Sequence, residues 1–279
     1  MDGIDTFGRR QAFAFDEAAA RPARKSPWRA DPAAQVFELV QTEVIPRLLL
    51  SRRCAETARQ PTMAHVETLA RLALARDGAG VWAQVSALRD AGAPLSALFG
   101  GLIGPAARRL GDMWKSDAAD FVQVALGCGR LAVAARRLGA EAEVAPAAGA
   151  PRLLVATLET ERHSLGAGMI AESMRGAGWS VSEAPATRPE ELCALASDIA
   201  YDVIGVSVGG DAGHPHARAA ISALRALPAT HGPRRPLIMV GGPALASCPT
   251  LAQALGADGA ANDGVSMIMA ARAHLPKPT

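Results

Sequence analysis

A chain of 279 residues is long enough for two domains with separate cores, and with aromatics at only 4% those cores must be built mainly from aliphatic side chains. A net charge of +2 is too small to argue for nucleic-acid binding, and no apolar run approaches the roughly 18 residues of a membrane span. Cys54, Cys128, Cys193 and Cys248 show neither CxxC nor metal spacing, which points to reduced thiols in the cytoplasm.

Residues 1–32 mix charge, alanine and proline without periodicity. Six basic residues nearly cancel five acids there, so the stretch reads as a mobile arm with a short helix around residues 10–20. Charged residues interrupt it throughout, unlike a signal peptide. Residues 33–142 are helical in pattern. Asp31-Pro32 starts a first helix, with Phe37, Val40, Val44 and Leu48 in a stripe and a kink expected at Pro46. Thr62 caps a second helix with His65, Leu69 and Leu72 on one face. A third spans about 80–89, before the Gly92-Ala93-Pro94 break. The fourth carries Leu95, Leu98, Leu102, Ala106, Leu110 and Met113, with a kink predicted at Pro105. The fifth, about 118–138, is predicted to bury Phe121, Ala125, Cys128 and Leu131. Short connections make this an antiparallel bundle. Residues 143–151, rich in Ala, Gly, Glu and Pro, form a linker.

From residue 152 to 275 short apolar runs alternate with helical segments. Strands are predicted at 152–157, 179–183, 203–208, 236–240 and 258–261, with helices near 165–177, 189–199, 213–226, 247–255 and 263–273. The alternation implies a parallel sheet covered on both faces. The fold class is therefore α/β: an N-terminal helical bundle followed by a flavodoxin-like doubly wound sheet.

Three loops follow three of these strands and belong at one sheet edge. The first holds Glu161, His163, Leu165 and Gly166; the second, Ser207, Val208, Gly209 and Gly210; the third, Gly241-Gly242-Pro243. Forty residues separate Gly166 from Ser207, and 33 separate Ser207 from Gly241. Glycine at a strand end lets backbone approach a ligand closely. The loops outline a groove with one imidazole at its mouth. His214-Pro215-His216 reads as the start of a helix rather than a metal site, and no GKS/T follows the 209–210 glycines, which argues against a nucleoside triphosphate.

The ordered set Glu161-x-His163-x-x-Gly166, Ser207-x-Gly209 and Gly241-Gly242 resembles the motif of the cobalamin-binding domain: Asp-x-His-x-x-Gly, then Ser-x-Leu, then Gly-Gly. This chain has Glu in place of Asp and Gly in place of Leu. The closing Gly256-Ala-Asp258-Gly259, with Asn262, is similar to that family's last strand and helix. The resemblance implies that His163 coordinates cobalt from below, displacing the cofactor's own benzimidazole, with Glu161 fixing its tautomer. It implies a nucleotide tail lying beside Ser207, Val208, Gly209 and Gly241-Gly242, with Leu165 and Gly166 also against the cofactor. Asp211 or His214 are candidates to extend the relay.

The helical part resembles the cap of such proteins, whose signature is a Trp followed some ten residues later by Glu-His. Trp114 is present; Val124-Ala125 stand where Glu-His would. Trp114 either shields an alkyl group on cobalt or is a core residue at a helix end. His65, the bundle's one histidine, is either an upper ligand or part of the core. The stretch Gly111-Asp-Met-Trp114, with Asp117, Phe121-Val122, Val124 and Gly129-Arg130-Leu131, resembles the AerR/PpaA group of regulators of photosynthesis genes. That resemblance implies a light-responsive antirepressor, not an enzyme. It would carry adenosyl-, methyl- or hydroxocobalamin and act in the cytoplasm on a repressor of the CrtJ/PpsR type. No helix-turn-helix pattern is visible, so direct sequence-specific DNA binding is not expected. The alternatives are a corrinoid shuttle of a methyltransferase system and an interaction module that binds haem or no tetrapyrrole.

Overall fold

The computed structural model describes residues 60–275, apart from 162, 211–212, 229–234 and 249. Backbone contacts divide the chain into Met1–Arg52 and Arg53–Thr279, and every described residue belongs to the second unit. The arm predicted for residues 1–32, the first helix with Phe37, Val40, Val44, Pro46 and Leu48, and Cys54 lie outside the described residues.

Among the described residues, four helical segments come first. Helix α1 (Met63–Leu74) is opened by Thr62, whose backbone N–H donates to His65 Nδ1 at 3.0 Å. The imidazole read as a core residue or an upper ligand therefore serves in a helix cap. Helix α2 spans Ala79–Asp90. A short α3 (Leu95–Ala97) runs through a π-helical stretch, Leu98–Ile103, into α4 (Gly104–Lys115). The predicted break at Pro105 takes this form. Proline has no N–H to donate and its ring crowds the preceding turn, and a wide turn in which the Gly104 N–H reaches Phe99 O, five residues back, accommodates it. Helix α5 (Phe121–Ala142) begins with a reciprocal cap: Asp120 accepts from the Gln123 N–H at 2.8 Å, and Gln123 Oε1 accepts from the Asp120 N–H at 2.9 Å. Leu69, Leu98, Leu102, Ile103, Leu110, Leu131 and Leu138 fill the core between these helices.

The second half is a parallel sheet of β1 (Arg152–Leu158), β2 (Ser180–Thr187), β3 (Val203–Ser207), β4 (Leu237–Gly241) and β5 (Gly259–Ala260). The order is β2-β1-β3-β4-β5, as a flavodoxin-like fold requires. Strands β3 and β4 are buried along their whole length, which is why they read as unbroken apolar runs. One face packs on α6 (Leu165–Gly176) and α11 (Gly264–His274) through Leu153, Val155 and Met239. The other packs on α7 (Pro189–Asp198), α8 (His214–Ala226) and α10 (Leu251–Leu255) through Leu154, Ile204 and Val240; the short α9 (Ala244–Ser247) lies between β4 and α10. The Gly256–Gly259 stretch acts structurally: Asp258 Oδ2 accepts from the Ile238 N–H at 2.7 Å, and Gly256 closes α10 at φ +81°.

The helical layer lies against α6. Leu165 and Met169 join its core, and Gly139 of α5 comes so close to Glu172 that a Cβ there would overlap the carboxylate side chain. Burial under α5 pushes the Glu172 carboxyl above its usual range, and the nearby Arg175 guanidinium only partly opposes this. A raised carboxyl pKa adds stability below the unfolded value and loses it as pH rises through the folded value. The Glu172 contribution to stability should therefore decline as pH rises above about 4.3, the unperturbed glutamate value. Glu172→Gln is expected to flatten that slope, and urea midpoints measured across the acid range check it.

Candidate functional site

Paired residues bring the three predicted loops together. Thr157 of β1 lies opposite Ser207 of β3, and Ser207 lies opposite Gly241 of β4. The chain leaves all three strands at the same edge. Helix α6, after β1, covers one face of the sheet, while α8, after β3, covers the other. The β1 and β3 loops therefore diverge and leave a crevice at the switch point, where open α/β sheets bind ligands.

On the first loop Glu161 turns back over the sheet. Its N–H donates to Leu158 O at 2.8 Å, and its Oε1 accepts twice from His163: from the backbone N–H at 2.6 Å and from ring Nδ1 at 2.8 Å. The Glu161 side chain is 5% exposed and the His163 side chain 68% exposed. A carboxylate can only accept, so Nδ1 carries the proton of the neutral ring and the Nε2 lone pair is left facing outward. One buried acid thus fixes both the backbone and the tautomer of an exposed imidazole. Such a ring is set up to ligate a metal through Nε2.

The other two loops are bound to each other. The Val208 N–H donates to Gly241 O at 2.8 Å, and the Ala244 N–H donates to Val208 O at 3.2 Å. Gly242 sits at φ +105°, where a Cβ would lie 2.5 Å from Val208 O and 3.0 Å from Ser207 Oγ. Ser207 is buried, and the Val208 side chain belongs to the sheet core. Val208 therefore offers the groove a wall of backbone whose polar atoms are already paired. Gly209 lies under the Glu161 carboxylate, while a Cβ on Gly166 or Gly210 would meet no atom of the described residues within 4 Å. Leu165 is drawn toward the helical core instead. His214 is half-buried at the start of α8, and Asp211 lies outside the described residues.

Helix α5 contributes what the sequence did not assign. Gly139 lies over Glu172, and Ala142 lies beside Gly176, so α5 runs parallel to α6. At ~1.5 Å per residue, the half of α5 that begins at Phe121 extends about 16 Å past the start of α6. Phe121, Ala125 and Cys128 share the side of α5 that carries Ala135 and Gly139. The burial predicted for Phe121 and Ala125 is therefore corrected: Phe121 is 66% exposed and Ala125 is exposed as well, because α6 begins too far along α5 to cover them. Trp114, also half exposed, meets the Phe121 ring edge-on at 6.3 Å between centroids. The signal for Phe121 was available in sequence, directly after the Asp120 cap, but periodicity alone assigns such a residue to the core.

Among the described residues no group of three or more His, Cys, Asp and Glu could hold a metal ion. A lone histidine with one carboxylate suits a metal that arrives with its own equatorial ligands, as in a corrin, and not a free cation needing several protein donors. Among the described residues no helix is long and apolar enough to cross a membrane.

The family model described as the B12 binding domain matches residues 151–271. Among solved structures, the Methanosarcina barkeri monomethylamine corrinoid protein is similar at TM-score 0.62 and 13% identity, over 76% of this chain and all of that one. A cobalamin-binding protein of Desulfitobacterium hafniense gives 0.42 at 16% identity, over 76% and 98%. At such identities only the fold of the first is informative. A search of curated proteins finds no match.

Proposed function

From the premise that residues 151–271 are a B12 binding domain with cobalamin as its cofactor, we propose that this protein is a light-responsive transcriptional regulator, an antirepressor acting through a partner repressor of photosynthesis genes. The observation that carries the cofactor half is the Glu161–His163 pair on the loop after β1, with Nδ1 held by a buried carboxylate and the rest of the imidazole exposed. The groove beside Ser207, Val208 and Gly241-Gly242 would take the nucleotide tail. Bound alkylcobalamin supplies a cobalt–carbon bond that visible light breaks.

The regulatory half rests on the cap. Val124 and Ala125 offer no ligand where Glu-His would stand, and the Trp114–Phe121 pair is exposed, with Phe121 on the stretch of α5 that extends past the start of α6. An apolar aromatic cover suits an alkyl group above cobalt. Loss of that group would change what the two rings pack against, and with it the surface offered to a repressor of the CrtJ/PpsR type. Such a switch needs different affinities of the cap for the two cofactor states. The resemblance of residues 111–131 to the AerR/PpaA group supports this reading.

The purified protein is expected to retain adenosylcobalamin in the dark and to change its absorption spectrum irreversibly on illumination. No retained cobalamin, or identical dark and lit spectra, would sink the proposal. The shared fold with a corrinoid protein keeps a second reading, a methyltransferase shuttle subunit. Methyl transfer from a donor to the reduced holoprotein, with no light response, would favour it.

A further inference from the structure

We propose that Gly209 is the seat of the Glu161 carboxylate, and that the two residues form one positioning device for His163: the longer acid is held because position 209 has no side chain. The inference rests on His163 being the cobalt ligand only for its consequence; the contact itself is a property of the protein alone.

A Cβ built on Gly209 would overlap both Glu161 carboxylate oxygens and lie 2.6 Å from its Cδ. The φ of Gly209 lies outside the left-handed region, so a side chain there conflicts with the place of the Glu161 carboxylate and not with the backbone conformation; the carboxylate would have to move. The restriction is local, because a Cβ on the neighbouring Gly210 would meet nothing among the described residues within 4 Å. The absence of a side chain at 209 explains an otherwise odd pairing of exposures, a glutamate side chain 5% exposed beneath a histidine 68% exposed. Glu161 lies down into the space over the second loop and lifts Oε1 to both His163 donors.

The two departures from the motif, Glu for Asp and Gly for Leu, therefore meet at one contact. Aspartate at 161 would be one methylene shorter, withdrawing the carboxylate by ~1.5 Å and leaving room for a side chain at 209. The loop after β3 then does more than line the groove. It determines which acid can orient the imidazole on the loop after β1. Gly209 and Glu161 are positioning residues, acting on the cofactor only through His163.

A double-mutant cycle on the cofactor-free full chain tests the contact. Gly209→Ala should lower the urea midpoint in the native background and much less in a Glu161→Ala background. If the native-background variant does not fold while Glu161→Ala/Gly209→Ala does, the same conclusion holds. An equal cost in both backgrounds overturns the proposal. The consequence for the imidazole is read in cobalamin-loaded protein reduced to cobalt(II), from the electron paramagnetic resonance splitting by the axial nitrogen. Gly209→Ala should lower the equilibrium constant for nitrogen coordination about tenfold, and Glu161→Asp/Gly209→Ala should restore most of it. A double variant no better than Gly209→Ala would refute the complementarity. If the unmodified protein shows no splitting that His163→Ala removes, the ligand reading fails instead, and the cofactor-free cycle still decides the contact.

Discussion

Replacing His163 with alanine is expected to weaken cobalamin retention by on the order of 100-fold and to abolish axial nitrogen coordination, while leaving the cofactor-free protein as stable as before. The affinity estimate starts from the 10–100-fold that loss of a mere supporting residue costs at metal sites; loss of the ligand itself belongs at or beyond the upper end. The stability estimate follows from exposure. The His163 side chain is 68% exposed, and alanine keeps the backbone N–H that Glu161 Oε1 accepts at 2.6 Å. Exposed substitutions away from caps and strain fall within about 0.5 kcal/mol. Equilibrium dialysis with adenosylcobalamin and thermal melts of the cofactor-free variant together separate the two effects. A variant that binds as tightly as the parent would remove His163 from the site.

Gly242→Val is expected to act in the opposite way, damaging the protein first and binding as a result. Gly242 sits at φ +105°, a region hostile to a β-branched residue, and its Cβ would lie 2.5 Å from Val208 O and 2.9 Å from Val208 N. Backbone strain of ~1–3 kcal/mol adds to the loss of the Val208–Gly241 and Ala244–Val208 hydrogen bonds at 2.8 and 3.2 Å, each worth ~1 kcal/mol. The total is about 3–5 kcal/mol. For a unit of this size that lowers Tm by roughly 6–20 °C. Gly166→Ala is the companion measurement: a Cβ there meets no atom of the described residues within 4 Å, so the cofactor-free Tm should not fall. Unchanged melting together with lost cobalamin retention would show that the first-loop glycine serves the ligand, whereas Gly242 serves the fold.

These contrasts bear on what could be read from the sequence. The strands were legible because β3 and β4 are buried on both faces and read as unbroken apolar runs. The helices between them were legible as the helical segments that alternate with those runs. The order in which His163, Ser207 and Gly241 occur, and their spacing, followed from the chain alone, since each stands where a strand ends. Their meeting depends on the β2-β1-β3-β4-β5 order, which puts Thr157, Ser207 and Gly241 side by side. The burial assigned to Phe121 and Ala125 did not hold, because periodicity says which side of a helix is apolar and cannot say where its neighbour stops.

By itself, then, the sequence determined the strands, most of the helices, and the imidazole with its acid two residues before it, all of which depend on local periodicity and short-range spacing; it did not show the π-helical stretch Leu98–Ile103 or that the helix expected at 247–255 is two short ones, α9 and α10. Only the tertiary structure decided that α5 runs past the start of α6, which leaves Phe121 exposed with its ring against that of Trp114. It also decided that Glu161 and Gly209, 48 positions apart, occupy one volume. Both are matters of excluded volume between segments distant in the chain, and no local pattern records them.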